Sequence, residues 1–338
     1  MNRVKMSDRS SVTGQSIGPQ QGRGPAAKPL DRARPGMRTR GRWLHGQRAE
    51  AMWALIFLAP ALIAIFAMRV APGVGAFVSS LYKGLPGGVQ KPRFSGLDNY
   101  QDLFTNPAFI DTFVRTMVFN VIINPLQLGL ALLIAVVMTQ RIAFRGLWRT
   151  LIFIPATIPI VGSSIAWGVA LRPEGPINAI ISALGGNPQP FFTSPDQALA
   201  SIILVASWIG IGYWMIFLIA GLEAVPGQYY EAARIDRAGP IRTFFSITLP
   251  LLKRPLLFVL VANTAANFVL FVPVQLLTSG GPQSSTTLLM FDAYRTSYGY
   301  GSRNLGAAEI IVLTLIMLFF VALQFRLLRE EASSRSSK

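Results

Sequence analysis

Asn263 and Asn267 lie four residues apart in an apolar run that begins at Pro255, so a helix would place both side-chain amides on one face. Gln275 follows two turns further along. A neighbouring run, Gln197–Leu222, carries Trp208 and Tyr213 beside Gly210 and Gly212. Amides exchange hydrogen bonds with hydroxyl groups, and aromatic rings can cover the apolar face of a hydroxylated ring. Together these residues could hold a polar solute in an apolar setting, where polar side chains tend to mark a pathway. They also have a purely structural use. Buried Asn joins helices, and aromatic residues pack or anchor a span at its interface. Asn120, Asn124 and Gln127, on another run, form a secondary set. Asn124–Pro125 is expected as a kink with local repair of backbone hydrogen bonds.

Other chemistry is excluded by what the chain lacks. It contains no cysteine and one histidine, His45, which lies in a polar N-terminal stretch. Thiolate nucleophiles, Cys or His metal clusters and a Ser-His-Asp triad are therefore unavailable inside the apolar part. No lysine is followed by Ser or Thr, so there is no phosphate-binding Gly-Lys-Ser/Thr loop. The chain is expected to be no enzyme and to need no cofactor. Arg69, Arg115 and Glu309 fall near the ends of apolar runs, and Glu309 is expected to mark a membrane interface. A proton- or ion-driven transporter acting alone would keep acidic or His side chains at mid-depth. Any energy source is therefore expected on a partner.

The elements that must position these residues follow from composition. Of 338 residues, 51% are hydrophobic and 14% charged, well below the charged share of a soluble domain. Six runs are long enough to cross a bilayer core, which takes about 20 residues. They start at Ala51 and continue past Arg69, then cover Thr116–Gln140, Thr150–Leu171, Gln197–Leu222, Pro255 to about Leu277, and about Gly306 to Phe325. The net charge of +16 is distributed unevenly. The stretch to residue 50, the loops 141–149 and 223–254 and the C-terminal tail hold 23 Lys and Arg, against 7 in segments 69–112, 172–198 and 278–305. The positive-inside rule then puts both termini and loop 223–254 in the cytoplasm and the other loops outside. The basic character is thus a topology signal, and no nucleic-acid partner is expected. Residues 1–45 are expected as a disordered cytoplasmic tail, 46–330 as a six-span transmembrane domain, and 331–338 as a short cytoplasmic tail. The outward stretch 95–113, with Asp98, Asp102 and Asp111 among aromatics, is expected to form a short amphipathic helix.

Loop 223–254 is read as two short helices. Pro226 suits a helix start, Gly239–Pro240 a stop, and a second helix over about 241–248 should end before Pro250. The first helix is rich in small alanines, with Glu231, Arg234, Asp236 and Arg237. Such a face suits close packing against another protein better than an interfacial position in lipid.

This loop carries a specific resemblance. Glu231-Ala232-Ala233, then three residues, then position 237, then nine residues to Ile247-Thr248-Leu249-Pro250, is similar to the signature loop of permease subunits of bacterial ABC importers. The stretches LDNYQDLF (97–104), FRGLWRTLIFIPATIP (144–159), YYEAARIDRAGP (229–240) and VPVQLLTSGGPQSSTTLLM (272–290) resemble the sugar-importing branch, of maltose or glycerol-phosphate type. The resemblance implies an all-α membrane protein with six transmembrane helices and a cytoplasmic coupling helix. It implies that Glu231, Ala232, Ala233, Asp236, Arg237 and Gly239 contact an ATPase, and that Trp208, Gly210, Tyr213, Asn263 and Asn267 line the substrate path. The implied partners are two ATP-binding subunits, a second homologous permease, an extracytoplasmic substrate-binding protein and the lipid bilayer of the bacterial inner membrane. The implied cargo is a sugar, with glycerol phosphate or another small polar solute as the alternative. One position departs from the signature: its usual glycine falls on Arg237.

Overall fold

In the computed structural model the described residues are 41–84 and 91–333, so all but residues 41–45 of the expected tail over 1–45, and the last residues, 334–338, lie outside them. The chain divides into two compact units, to Ala61 and from Leu62 onward. Helix α1, Gly41–Ile65, begins in the first unit. It starts ahead of the boundary at residue 46 because Arg42–Ala51 contains residues of good helix propensity, such as Leu44, Gln47, Arg48 and Ala49. A π-helical turn, Phe66–Val70, leads into α2, Ala71–Ser80.

The second unit is almost entirely helical. Two short strands, β1 (Tyr82–Lys83) and β2 (Arg93–Phe94), pair antiparallel. They are followed by α3 (Asp98–Thr105), α4 (Pro107–Thr139), α5 (Arg145–Thr157), α6 (Ile160–Ala170) and α7 (Pro176–Ala183). Next come α8 (Pro195–Glu223), α9 (Gly227–Ile235), α10 (Pro240–Thr243) and α11 (Leu249–Leu251). The chain ends with α12 (Lys253–Phe268), α13 (Val272–Leu277), α14 (Leu289–Tyr294) and α15 (Arg303–Ser333). The short helix expected within residues 95–113 is present as α3.

The two longest helices of the bundle's centre start in the same way. Asn106 caps α4 through Oδ1, which accepts from the N–H of Ala108 at 3.0 Å, and Ser194 caps α8 by accepting from Asp196 at 3.3 Å. In each case proline follows at the first helical position, where its missing N–H costs no hydrogen bond. The helix α4 continues through Pro125 to Thr139.

Among the described residues five segments are long and apolar enough to cross a membrane, or six if the bent pair α5–α6 counts as one. The span expected over Thr150–Leu171 falls on this bent pair. The chain bends by 97° between Thr157 and Ile160. Ile158 is extended (φ −82°, ψ 132°) because it precedes Pro159, which disfavours helical geometry at the residue before it. The fifth run is also broken. Phe268 ends α12, and Pro273 starts a new turn, so Gln275 falls on α13 instead of continuing the Asn263/Asn267 face. The second helix of loop 223–254 does not stop before Pro250. A wide π-helical turn, Phe244–Thr248, carries the chain into α11, whose first turn tolerates the proline.

Packing centres on α4 and α8. Ala131 and Ala135 of α4 are fully buried with Met215 and Leu218 of α8, Leu252 just before α12 and Val259 within it. Small residues at the contact let the backbones approach. Phe119, Ile123 and Ile202 join Val274 and Leu288 in a second cluster, and Leu103, Phe109, Phe268 and Leu289 join Ala308 of α15 in a third. Phe66, Met68, Val121, Leu133, Leu315 and Phe319 are exposed, as lipid-facing side chains of a membrane bundle would be. Gly212 permits a close approach of α8 to α5: a Cβ there would overlap the Ile152 carbonyl oxygen.

Candidate functional site

A cleft of about 400 Å³ opens between α4, the bend of α5–α6, α8 and α12. Asn263 and Asn267 reach it from one face of α12, and Gly210 and Tyr213 reach it from α8. Gln127 of α4 and Trp214 also line it. Trp208 does not. It packs edge-on against Trp167 of α6, with ring centroids 5.4 Å apart, and so serves helix contact outside this cleft. Apolar walls with a few convergent polar groups are the usual form of a small-molecule site.

The polar groups are linked to one another. Asn267 Nδ2 donates toward Asn124 Oδ1 at 2.8 Å, Gln127 Oε1 at 3.0 Å and Asn263 Oδ1 at 3.1 Å. One amide nitrogen has two protons, so three oxygens compete for them and acceptor capacity is left over. A hydroxyl entering the cleft could donate to those oxygens. Asn263, Asn267, Asn124 and Gln127 are all buried. The amides therefore serve as interhelical links and cleft lining at once. Gly210 lets this arrangement form, since a Cβ there would meet the Gln127 amide at 3.1 Å.

Gln127 ends a buried polar stripe along α4. Asn124 donates to Asn120 Oδ1 at 3.2 Å, Asn120 to the Thr116 carbonyl at 2.9 Å, and the Thr116 hydroxyl to the Thr112 carbonyl at 2.8 Å. Of the secondary set, Gln127 lines the cleft, and Asn124 and Asn120 are joined to its wall by hydrogen bonds. The signal for this set was the spacing of residues 120, 124 and 127, which is the period of one helix face. Trp214 gave no comparable signal, because α8 is apolar all round and the sequence does not say which side faces the cleft.

The loop between α8 and α12 is built separately. Ala233 is buried toward the bundle, whereas Glu231, Ala232, Asp236, Arg237 and Gly239 are exposed. The alanine pair is therefore divided: Ala232 is open to a neighbour and Ala233 is not. The Tyr230 hydroxyl lies 3.3 Å from Thr248 Oγ1 and ties α9 to the return segment. Ile235 is 82% exposed and Ile241 74%, an apolar pair on an otherwise polar loop.

Arg237 is in left-handed geometry, with φ 52°. Its N–H donates to the Arg234 carbonyl at 3.0 Å, and the Ala238 N–H donates to the Ala233 carbonyl at 2.9 Å. These two bonds form a Schellman ending for α9, whose left-handed position is usually glycine. The glycine of the signature thus has a backbone reason, and arginine adopts the same geometry here against its steric preference.

At the opposite end of the bundle, α3 is held to the end of α2. Asn99 Nδ2 donates to the carbonyls of Ser80 at 2.7 Å and Tyr82 at 2.8 Å. Lys83 pairs with Asp102, and that hydrogen bond raises the lysine pKa above its ordinary value. Among the described residues no group of His, Cys, Asp and Glu could hold a metal ion.

Residues 127–330 match the family described as "Binding-protein-dependent transport system inner membrane component". The chain is 36% identical over 243 residues to the maltose/maltodextrin transport system permease protein MalF of Salmonella typhimurium, covering 68% of this chain and 47% of that protein. It thus spans about half the length of these curated relatives. It is 30% identical over 295 residues to the sulfoquinovosyl glycerol transport system permease protein SmoG of Agrobacterium fabrum, covering 85% of this chain and 93% of the relative. A solved bacterial alginate ABC transporter, in complex with an alginate pentasaccharide-bound periplasmic protein, contains a chain of similar fold. It has a TM-score of 0.73 at 20% identity and covers 85% of this chain and 97% of that one.

Proposed function

The chain belongs to the family of binding-protein-dependent transport inner-membrane components, and from that premise we propose that it is one permease subunit of an ATP-driven importer for a sugar or related polyol. The observation that carries this reading is the amide cleft of Gln127, Asn263 and Asn267, walled in part by the two spans, α8 and α12, that flank the exposed loop. Spare acceptor oxygens, the Tyr213 ring and Trp214 match a hydroxylated ring. The cargoes named for the relatives, maltodextrin and sulfoquinovosyl glycerol, are of that chemical class.

In this reading a second homologous permease completes the pathway, and two ATP-binding subunits dock on the cytoplasmic side. An extracytoplasmic binding protein delivers the solute, in keeping with the periplasmic protein of the alginate complex. The transmembrane domain is 46–330. Both termini are cytoplasmic, which the uneven Lys and Arg distribution supports. Docking falls on Glu231, Ala232, Ile235 and Asp236 of α9, with Arg237 and Gly239 at its end. The exposed Ile235 and Ile241 support a protein neighbour, since covering them removes apolar surface from water. ATP binding would draw the two ATPases together and shift the permease pair between inward-open and outward-open populations, with α9 carrying the motion. The Tyr230–Thr248 contact and the short loop to α8 connect that motion to the spans that wall the cleft.

Glu231→Lys tests the coupling role. Glu231 is exposed, so the variant should fold and insert normally while ATP-dependent uptake collapses. Normal uptake by Glu231→Lys would contradict the docking assignment.

A further inference from the structure

A second cavity, of about 460 Å³, lies at the end of α4 away from the loop, between the first turns of α4 and α15 and the segment Gln283–Tyr300. It holds two buried polar atoms without partners. Glu309 is 3% exposed, and its Oε1 accepts from the Thr296 hydroxyl at 2.9 Å, but Oε2 has no hydrogen-bond partner. Arg295 donates through one terminal nitrogen to Asp292 Oδ1 at 2.7 Å, while its Nε–H has none. Its guanidinium carbon lies 5.7 Å from the ring centroids of both Phe291 and Tyr300, which fixes its plane.

A buried carboxyl oxygen and a buried guanidinium N–H each need a hydrogen-bond partner. A simple cation cannot serve the N–H. A hydroxyl group serves both. The lining sets Asp111, Asp292 and Glu309 against Arg115 and Arg295, so it offers an anion no excess of positive charge. The Thr112 and Ser302 side chains add further hydroxyl partners on the walls.

We propose that this cavity is a second binding site for a neutral polyhydroxylated solute, separate from the amide cleft and at the other end of the polar stripe that leaves Thr112 and ends at Gln127. This deepens the proposed transport role, on which the choice of solute class rests. It gives the solute a first place to bind before the cleft. The stripe residues Thr116, Asn120 and Asn124 are buried in this conformation, so passage between the two sites requires the bundle to move.

The chain's lack of cysteine gives a direct test. Ser302→Cys places a unique thiol on this cavity, and Ala266→Cys places one on the cleft. Each full-length variant, in proteoliposomes with its co-purified partners, is labelled with a small methanethiosulfonate in the presence of glycerol, glucose or maltose. Bound solute is expected to protect the thiol at position 302 from labelling, by about tenfold at a sugar concentration about ten times its dissociation constant. Protection should persist when Asn267→Ala disables the cleft and disappear with Glu309→Ala. Glu309→Gln serves if the alanine variant fails to assemble, and it should weaken protection. Labelling at position 302 that none of the three solutes slows would identify a water-filled cavity and overturn the proposal. Protection that is lost with Asn267→Ala would also overturn it, as an effect relayed from the cleft. Protection at position 302 without protection at position 266 supports the second site while counting against the cleft.

Discussion

Asn267 of α12 donates to Oδ1 of Asn124 on α4 at 2.8 Å, and this contact joins the wall of the cleft to the helix at the centre of the bundle. One side chain thus links packing to solute recognition. Asn267→Ala removes the donor that three oxygens share. Hydrogen bonds between membrane helices contribute on average about 0.6 kcal/mol, so the loss of stability should be small. Uptake should fall much further, because the freed oxygens lose their fixed positions. Thermal unfolding and transport of the same preparation check this. Equal, small losses in both would reduce Asn267 to a packing residue.

Arg237 offers a stabilising change. Left-handed geometry costs a non-glycine residue about 1–2 kcal/mol, and the Schellman bonds of α9 use only backbone atoms. Arg237→Gly should therefore raise the melting temperature while keeping the helix end. Arg237→Val should lower it. If the glycine variant is no more stable but loses ATPase binding, the arginine side chain is itself part of the docking surface.

Gly212 should tolerate no side chain. A Cβ would overlap the Ile152 carbonyl oxygen, so α5 would have to move away from α8. Overpacking of this kind costs about 1–3 kcal/mol. Gly212→Ala should lower the melting temperature, and reduced uptake should follow as the α5–α6 bend shifts at the cleft. An unchanged melting temperature would show that α5 gives way freely.

Arg149 holds three helix ends together. It donates to the Met138 carbonyl of α4 at 2.9 Å and to Glu223 of α8 at 2.7 Å. The Glu223 side chain is 50% exposed, so the ion pair itself is worth under about 1 kcal/mol. Glu223→Gln should therefore change stability little. Arg149→Met should cost more, because the Met138 carbonyl loses its donor as well. A double-mutant cycle on residues 149 and 223 separates the two effects.

The spans, the short helix α3 and the exposed helix α9 were legible because length, apolarity and Gly/Pro punctuation are local properties. The 97° bend was written in the sequence too, in Pro155 and Pro159 four residues apart, but an unbroken apolar run concealed it. Which face of a fully apolar helix meets the cleft is a tertiary fact. Trp208 and Tyr213 lie five residues apart on α8, yet only Tyr213 reaches the cleft, and Trp214, one position on, joins it. Arg237 shows a different limit. Its departure from the signature was visible, but the reason for the glycine emerged only with its positive φ. Glu309, expected at an interface, is buried beside Thr296 because α14 and the turn after it fold back over the start of α15.

Above all, the proposed role requires that ATP on a partner subunit drives solute movement through this chain. Uptake of labelled sugar into proteoliposomes measures this, comparing the chain alone with the complex co-purified from native membranes, each with and without ATP. Uptake is expected only with the complex and only with ATP. Equal uptake by the chain alone, without ATP, would show that the proposed role is wrong.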